Sequence, residues 1–144
     1  MREIKFRLWG GTKMFYDLEN VMECLKQQIA FNEKAPGVLS YDHVGQHESA
    51  FMQFTGLKDK NGKEIWEGDI VKWDDSSNGK YWRVAEVFYD SGEAMFSFRI
   101  IKNTVHALSC KEGYVFGGNF FFRDGSQLEV IGNIYETPDL ITKP

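Results

Sequence analysis

The sequence predicts a mostly β protein of the α+β class, built as a small β-barrel with an N-terminal strand–helix extension. Aromatic residues make up 15% of the 144 residues and there are only three prolines, a composition that favours strands. Short segments of alternating apolar and polar residues are separated by turn residues roughly every 8 to 12 positions, as in barrels and sandwiches. One segment breaks this pattern with a helical period, and it lies near the N-terminus.

The N-terminal part begins with a strand over residues 4–9, I-K-F-R-L-W. Its period of two places Ile4, Phe6 and Leu8 on a buried face and the basic residues on the other face. Met14–Tyr16 can pair back as a second short strand. Residues 18–30 then carry an apolar stripe with helical spacing, so we predict an amphipathic helix there. The stripe consists of Leu18, Val21, Met22, Leu25 and Ile29.

Residues 32–50 are predicted to be a connection, and the pattern beyond it is almost wholly β. Asn61-Gly62 predicts a hairpin with a type I′ turn, which needs positive φ at both residues. The expected strands and strand-forming segments are 51–54, 70–73, 81–89, 94–101 and 128–135, and 81–89 is predicted to pair with 94–101 as a hairpin around Asp90-Ser91-Gly92. Strands this short and this few favour a small SH3-like or OB-like barrel over an immunoglobulin-type sandwich.

The connection is the one plausible domain boundary in the sequence. We therefore predict an N-terminal strand–helix extension over residues 1–48 and a barrel over residues 49–144, with one compact unit as the alternative. The N-terminal block M-R-E-I-K-F-R-L-W has no apolar run after its charges, so no signal peptide is expected. Cys24 and Cys110 are far apart and fit a reduced, cytoplasmic chain.

Residues that could carry catalysis or bind a metal form no convincing constellation. His43 and His47 have the spacing of a zinc pair, but no third ligand is indicated. His106 and Cys110 are too far apart on a strand for a direct hydrogen bond. The loop from Asp74 to Gly79 resembles part of a calcium loop but lacks its final glutamate. We expect no catalytic, cofactor or metal site.

We expect the protein to have a binding surface rather than a catalytic or metal site. Surface candidates for binding are Lys58, Lys60, Lys63, Trp66, Trp82 and Arg83. Aromatic rings could stack on bases while the cations meet phosphates. However, the net charge is −4, and the lysines of residues 55–72 are matched by carboxylates, so few counterions would be released on binding nucleic acid. A protein partner is therefore favoured over nucleic acid.

Three blocks of the chain carry a family resemblance. They are M-R-E-I-K-F-R-L-W at the start, F-M-Q-F-T-G-L-K-D-K-N-G-K-E-I-W-E-G-D-I-V-K at 51–72 and E-V-I-G-N-I-Y-E-T-P-D-L at 129–140. Together they resemble the YopX family of small phage and prophage proteins. The resemblance implies a phage or prophage origin and an SH3-like barrel in the later part of the chain, and it provides no catalytic residues to carry over.

The function expected from these observations is a non-enzymatic phage or prophage accessory protein that acts as a protein-interaction module in the cytoplasm of a bacterial host. This expectation rests on the fold and the family rather than on a site. A small barrel that binds single-stranded or duplex nucleic acid is one alternative, and an enzyme with an unrecognised site is another. Membrane binding is not expected, and a homo-oligomer is left open.

Overall fold

Nine β-strands make up most of the chain in the ranges that the computed structural model describes. Those ranges are residues 3–10, 13–16, 50–74, 80–103, 115–117 and 125–141. The strands are β1 (Phe6–Trp9), β2 (Met14–Phe15), β3 (Ala50–Lys58), β4 (Glu64–Trp66), β5 (Asp69–Asp74), β6 (Trp82–Asp90), β7 (Met95–Asn103), β8 (Val115–Gly117) and β9 (Glu129–Asn133), and a 3-10 helix spans Pro138–Leu140. The mostly β prediction is confirmed.

The strands form two antiparallel sheets. One sheet has the order β2-β1-β3-β4 and the other has the order β8-β7-β6-β5-β9. Chain contacts divide the molecule into two compact units, with residues up to Gln53 in the first unit and residues from Phe54 in the second. Strand β3 therefore contributes its first residues to one unit and its last residues to the other.

The predicted helix over 18–30 and all but the last residue of the predicted connection over 32–50 lie outside the described residues, and Ala50 begins β3. In the described ranges, no α-helix occurs and no helix is long and apolar enough to cross a membrane. The strand part of the N-terminal extension is present as β1 and β2. The division into 1–48 and 49–144 stays a prediction.

The second unit is held together by one apolar cluster. Its buried members are Ile65, Val71, Trp73, Ala85, Val87, Phe98, Ile100 and Leu128. Strand register explains why β5, β6 and β7 supply most of them: Val71 lies opposite Ala85, and Ala85 lies opposite Ile100. Because directly opposite residues share one face of a sheet, the alternating apolar residues of three strands meet on the same side.

The β3–β4 hairpin turns differently from the type I′ turn predicted for Asn61-Gly62. The N–H of Gly62 donates to the carbonyl of Asp59 at 2.9 Å, and the N–H of Asp59 donates to the carbonyl of Lys63 at 2.8 Å. Only Gly62 of the two turn residues has positive φ, at 83°. The geometry matches a three-residue loop closed by a left-handed glycine. The predicted hairpin is present, and the predicted turn type is wrong.

The β6–β7 hairpin confirms the prediction of a turn around residues 90–92. Asp90 lies opposite Met95, and the Oδ1 of Asp90 accepts the N–H of Gly92 at 3.0 Å. This local carboxylate–amide contact is the usual reason that aspartate begins a turn. Ala94, rather than a glycine, takes the left-handed conformation, with φ of 53°.

The end of β9 is organised by Asn133. Its Oδ1 accepts the N–H groups of Tyr135 and Glu136 at 3.0 and 2.8 Å, and its backbone N–H donates to the Oγ1 of Thr137 at 2.9 Å. The chain is thereby reversed into the 3-10 helix, where Pro138 occupies the first turn. Proline is favoured there because its missing N–H has no helical acceptor to lose.

Candidate functional site

The first unit exposes apolar side chains on one face of its paired strands. Phe6 lies opposite Gln53, and Leu8 lies opposite Phe51, so these four residues share a face. Phe6 is 48% exposed and Phe51 is 56% exposed, whereas Leu8 is fully buried, so the exposed part of this face is formed by the two phenylalanines. They are diagonal neighbours across the strand pair, within reach of each other for aromatic side chains. We call this surface the N-terminal apolar face.

Two residues extend the N-terminal apolar face. Ile4, two residues before Phe6 in the chain, is 68% exposed. Phe15 lies opposite Leu8 on β2, and the Nζ of Lys13 lies 4.7 Å from its ring centroid. A cation at this distance is attracted by the ring's negative face. The exposed surface is therefore apolar with a lysine beside it.

The burial pattern of β1 differs from the expectation. Ile4 and Phe6 were expected on a buried face, whereas the structure leaves both largely exposed and buries Arg7, at 2% exposure, next to Leu8. The guanidinium of Arg7 lies 5.9 Å from the ring centroid of Tyr16. Arginine can be buried along its apolar stem when its charged head meets aromatic or polar groups. Alternation alone does not reveal such a site.

The three candidate lysines lie on the β3–β4 hairpin of the second unit. Lys58, Lys60 and Lys63 are all exposed. The Nζ of Lys60 lies 2.6 Å from the Oε2 of Glu129, and Lys58 lies directly opposite Glu64 in the register. Carboxylates accompany the lysines, as the balanced charge of the segment predicts. This arrangement weakens the hairpin as an anion-binding surface.

Between these lysines, Asp59 is buried and holds the hairpin in place. Its Oδ1 accepts the N–H groups of Asn61 and Lys63 at 2.8 and 2.9 Å, and its Oδ2 accepts the N–H of Val130 at 3.0 Å. Burial by itself raises the pKa of Asp59. The N–H donors of Val130, Lys63 and Asn61, together with the charge of Lys63, outweigh burial and lower the pKa below its ordinary value of 3.8. The ionised carboxylate is therefore the structural form.

Trp66 is not a surface residue, so its prediction as a binding candidate is wrong. The side chain is 2% exposed, and its ring packs 5.3 Å from that of Phe54 at an interplanar angle of 45°. Its backbone N–H donates to the Oδ2 of the buried Asp69 at 2.8 Å. The indole is buried because β3 and β4 bring Phe54 directly opposite Trp66.

Trp82 and Arg83 begin β6, which belongs to the five-stranded sheet, whereas the hairpin belongs to the four-stranded sheet. Trp82 is half-buried, and the Nζ of Lys72 lies 5.5 Å from its ring centroid. Arg83 lies opposite Trp73, a member of the core cluster, and its Nε is buried. The predicted candidates thus divide into a hairpin group, a buried tryptophan and a group at the start of β6. They do not form one site.

Among the described residues, no cluster of three or more His, Cys, Asp or Glu side chains is suited to a metal. His43, His47, His106 and Cys110 lie outside them, as does the rest of the loop that follows Asp74. The features of the described residues that could contact a partner are the N-terminal apolar face in the first unit and the cation–aromatic pairs in the second.

Comparison with known proteins gives a family and a fold. The family model described as "YopX protein" matches residues 5–142, which confirms the resemblance carried by the three sequence blocks. The crystal structure of protein EF1440 from Enterococcus faecalis is similar, with 24% identity and a TM-score of 0.52 over 99% of this chain and 100% of that chain. At this identity the likeness shows the fold alone. Among curated proteins, none matches the chain.

Proposed function

The chain belongs to the YopX family, and from this premise we propose that it is a non-enzymatic protein-interaction module. In this proposal the chain is a phage or prophage accessory protein that acts in the cytoplasm of the bacterial host. The second unit serves as an SH3-like barrel. Its five-stranded antiparallel sheet supports that assignment, and small barrels are frequent platforms for binding.

The observation that carries the proposal is the N-terminal apolar face. Single exposed apolar residues are common on protein surfaces, but neighbouring large ones are a feature of interaction sites. Ile4, Phe6 and Phe51 are each about half exposed or more. Full burial of a large apolar side chain contributes about 1.5–3 kcal/mol, so burying the exposed part of one of these side chains against a partner contributes about 1 kcal/mol. A partner with a complementary apolar surface would therefore gain substantial affinity here.

The alternatives have less support. For nucleic acid, the hairpin lysines are accompanied by carboxylates and Trp66 is buried, so this group no longer supplies a charged surface with a stacking ring. For an enzyme, the residues considered from the sequence, His106 and Cys110, lie outside the described ranges.

The test is affinity capture from phage-induced host cells with the full chain and two variants. Phe6→Thr with Phe51→Thr removes the exposed rings while retaining residues suited to strands. The control is Tyr89→Thr, because this ring of the second unit is 40% exposed. We expect a partner that the wild type and the control retain and the Phe6/Phe51 variant loses.

Once that partner is purified, the dissociation constant gives the quantitative result. Loss of two central aromatic contacts should weaken binding at least tenfold, since aromatic hot spots contribute about 2 kcal/mol or more each. Equal capture by all three proteins would contradict the proposal. Sedimentation velocity identifies the case in which the partner is a second copy, because the wild type would then sediment as a dimer and the Phe6/Phe51 variant as a monomer.

A further inference from the structure

A second surface lies on the five-stranded sheet, on the side opposite its apolar cluster. Lys72 of β5 lies opposite Val84 of β6, and Val84 lies opposite Lys102 of β7. The two lysines therefore share a face and lie two strand spacings apart, about 10 Å. Trp82 precedes Val84 by two residues and lies on the same face. We call this surface the Trp82 face.

Trp82 combines an accessible aromatic ring with a neighbouring cation. The side chain is half-buried, with the Nζ of Lys72 at 5.5 Å from the ring centroid. The adjacent Tyr81 is 41% exposed, and the Nζ of Lys80 lies 5.2 Å from its ring. Aromatic rings with interleaved lysines at the start of one strand are the combination that proteins use for unpaired bases and their phosphates.

Farther along the same face, the charges are partly neutralised by pairing. The Nη1 of Arg99 lies 3.0 Å from the Oε2 of Glu86, and the guanidinium lies 4.4 Å from the ring centroid of Phe88. Asp74, opposite Trp82, is the other carboxylate near this end. At the neighbouring edge, Glu129 lies opposite Lys72 and forms an ion pair with Lys60.

The result is a modest excess of positive charge in a chain whose net charge is −4. Lys72, Lys102 and Arg99 are the cations of the Trp82 face, and Asp74, Glu86 and Glu129 are its carboxylates. Because Glu86 pairs with Arg99 and Glu129 pairs with Lys60, Lys72 and Lys102 remain against the single carboxylate of Asp74. In the register both lysines lie opposite Val84, two residues after Trp82, whereas Asp74 lies directly opposite Trp82. A polyanion that crosses β6 at Val84 would meet a lysine on each side, with the indole of Trp82 next along the same face.

We propose that the Trp82 face binds single-stranded nucleic acid, with a base stacked on Trp82 and backbone phosphates contacting Lys72 and Lys102. A flat sheet face has no helix or ribbon to enter a duplex groove. An indole can stack only on a base that is not already stacked between neighbours, which selects single strands over duplexes. The proposal is independent of the N-terminal apolar face, which belongs to the other unit.

Fluorescence anisotropy with a labelled oligothymidylate of about 16 nucleotides, the upper site size of small barrels, tests the proposal. At about 50 mM salt the full chain should bind, and its affinity should fall as salt rises. Trp82→Leu, which keeps an apolar side chain of similar position, should weaken binding about tenfold. Lys72→Gln with Lys102→Gln should weaken binding and reduce the slope of log affinity against log salt by about 1.4.

The matched control is Lys58→Gln with Lys63→Gln, which removes the same charge from the exposed β3–β4 hairpin. This control and the Phe6→Thr/Phe51→Thr variant should retain wild-type affinity, and thermal unfolding should show that every variant remains folded. No binding at low salt, or equal losses for both lysine pairs, would overturn the proposal. Competition by polyglutamate as effective as that by the oligonucleotide would also overturn it, by showing that an acidic polypeptide is the ligand.

Discussion

Asp59 shows how one buried carboxylate fixes two parts of the second unit at once. Its two oxygens accept three backbone N–H groups, two from its own hairpin and one from Val130 of β9. The separation between Asp59 and Val130 is 71 residues, so this side chain joins segments that are remote in sequence. Hydrogen bonds to an ionised acceptor are stronger than neutral ones. The hairpin and β9 are therefore coupled through a single charge.

Replacing Asp59 with asparagine should lower stability and reduce its dependence on pH. The amide has one acceptor oxygen, so at least one backbone N–H loses its partner, at a cost of about 1–3 kcal/mol. In the wild type the folded-state pKa is below 3.8, so the stabilisation is present above that value and is lost as the pH falls through the folded pKa. Urea unfolding at several pH values should show this acid-dependent loss in the wild type and a smaller one in Asp59→Asn.

Asp90→Asn is the appropriate control for that measurement. The carboxylate of Asp90 also accepts two turn N–H groups, from Gly92 and Glu93, but these contacts are exposed. Water can replace them, so the expected loss is about 0.5 kcal/mol or less. If the two substitutions had the same effect, Asp59 would be an ordinary turn residue rather than a link between remote segments.

Among the elements, β9 and the turn after it depend on close backbone packing. Gly132 lies where an added methyl group would collide with the Oγ1 of Thr137 and approach the Cδ1 of Leu140 to 2.7 Å. The same Thr137 hydroxyl exchanges hydrogen bonds with the backbone of Asn133. The turn and the 3-10 helix are therefore packed directly on the strand, and only glycine leaves them enough room.

Gly132→Ala should consequently lower the free energy of unfolding by about 1–3 kcal/mol, the usual cost of overpacking. Gly92→Ala provides the control, because an added methyl group there would meet only the Oδ1 of Asp90, at 3.3 Å, and that turn is exposed. We expect a change within about 0.5 kcal/mol for the control. Chemical denaturation of both variants measures the difference, and equally small losses would show that the C-terminal turn can move aside.

The sequence predicted where the two hairpins lie, but it predicted only part of the backbone geometry of their turns. Asn61-Gly62 and Asp90–Gly92 both lie where strands reverse, because turn residues act through local backbone preferences. The left-handed residues are Gly62 in one hairpin and Ala94 in the other. Ala94 has no sequence signature for positive φ. Its conformation is set by the pairing of Asp90 with Met95 around it.

For the whole molecule, the apolar cluster lies entirely within the second unit. Its members extend from Ile65 to Leu128, and β5 to β7 supply most of them. A single core of this kind can support independent folding of a domain of about 100 residues. We therefore predict that a fragment of residues 49–144 unfolds cooperatively and retains a near-ultraviolet circular dichroism signal from its buried tryptophans. A far-ultraviolet signal without the near-ultraviolet one would indicate a molten globule and contradict the prediction.

The candidate surfaces were less predictable than the strands. Trp66 and Trp82 both follow polar segments and precede charged residues, yet Trp66 is buried against Phe54 and Trp82 lies beside Lys72 on a sheet face. The sequence provides no local difference that separates them. Strand order and register bring different neighbours to the two rings, and those neighbours decide which ring can reach a ligand.

The family could be recognised from three blocks of the sequence, and the mostly β class and several strands and hairpins could be predicted from local patterns. Those patterns are alternation and turn residues, which act over a few positions. The exposure of Phe6 and Phe51, the burial of Arg7 and the position of Lys72 and Lys102 on either side of Val84, next to Trp82, became evident from the folded chain. The burial of a side chain and its neighbours in space depend on residues that are distant in sequence. A pattern within one strand therefore does not predict them.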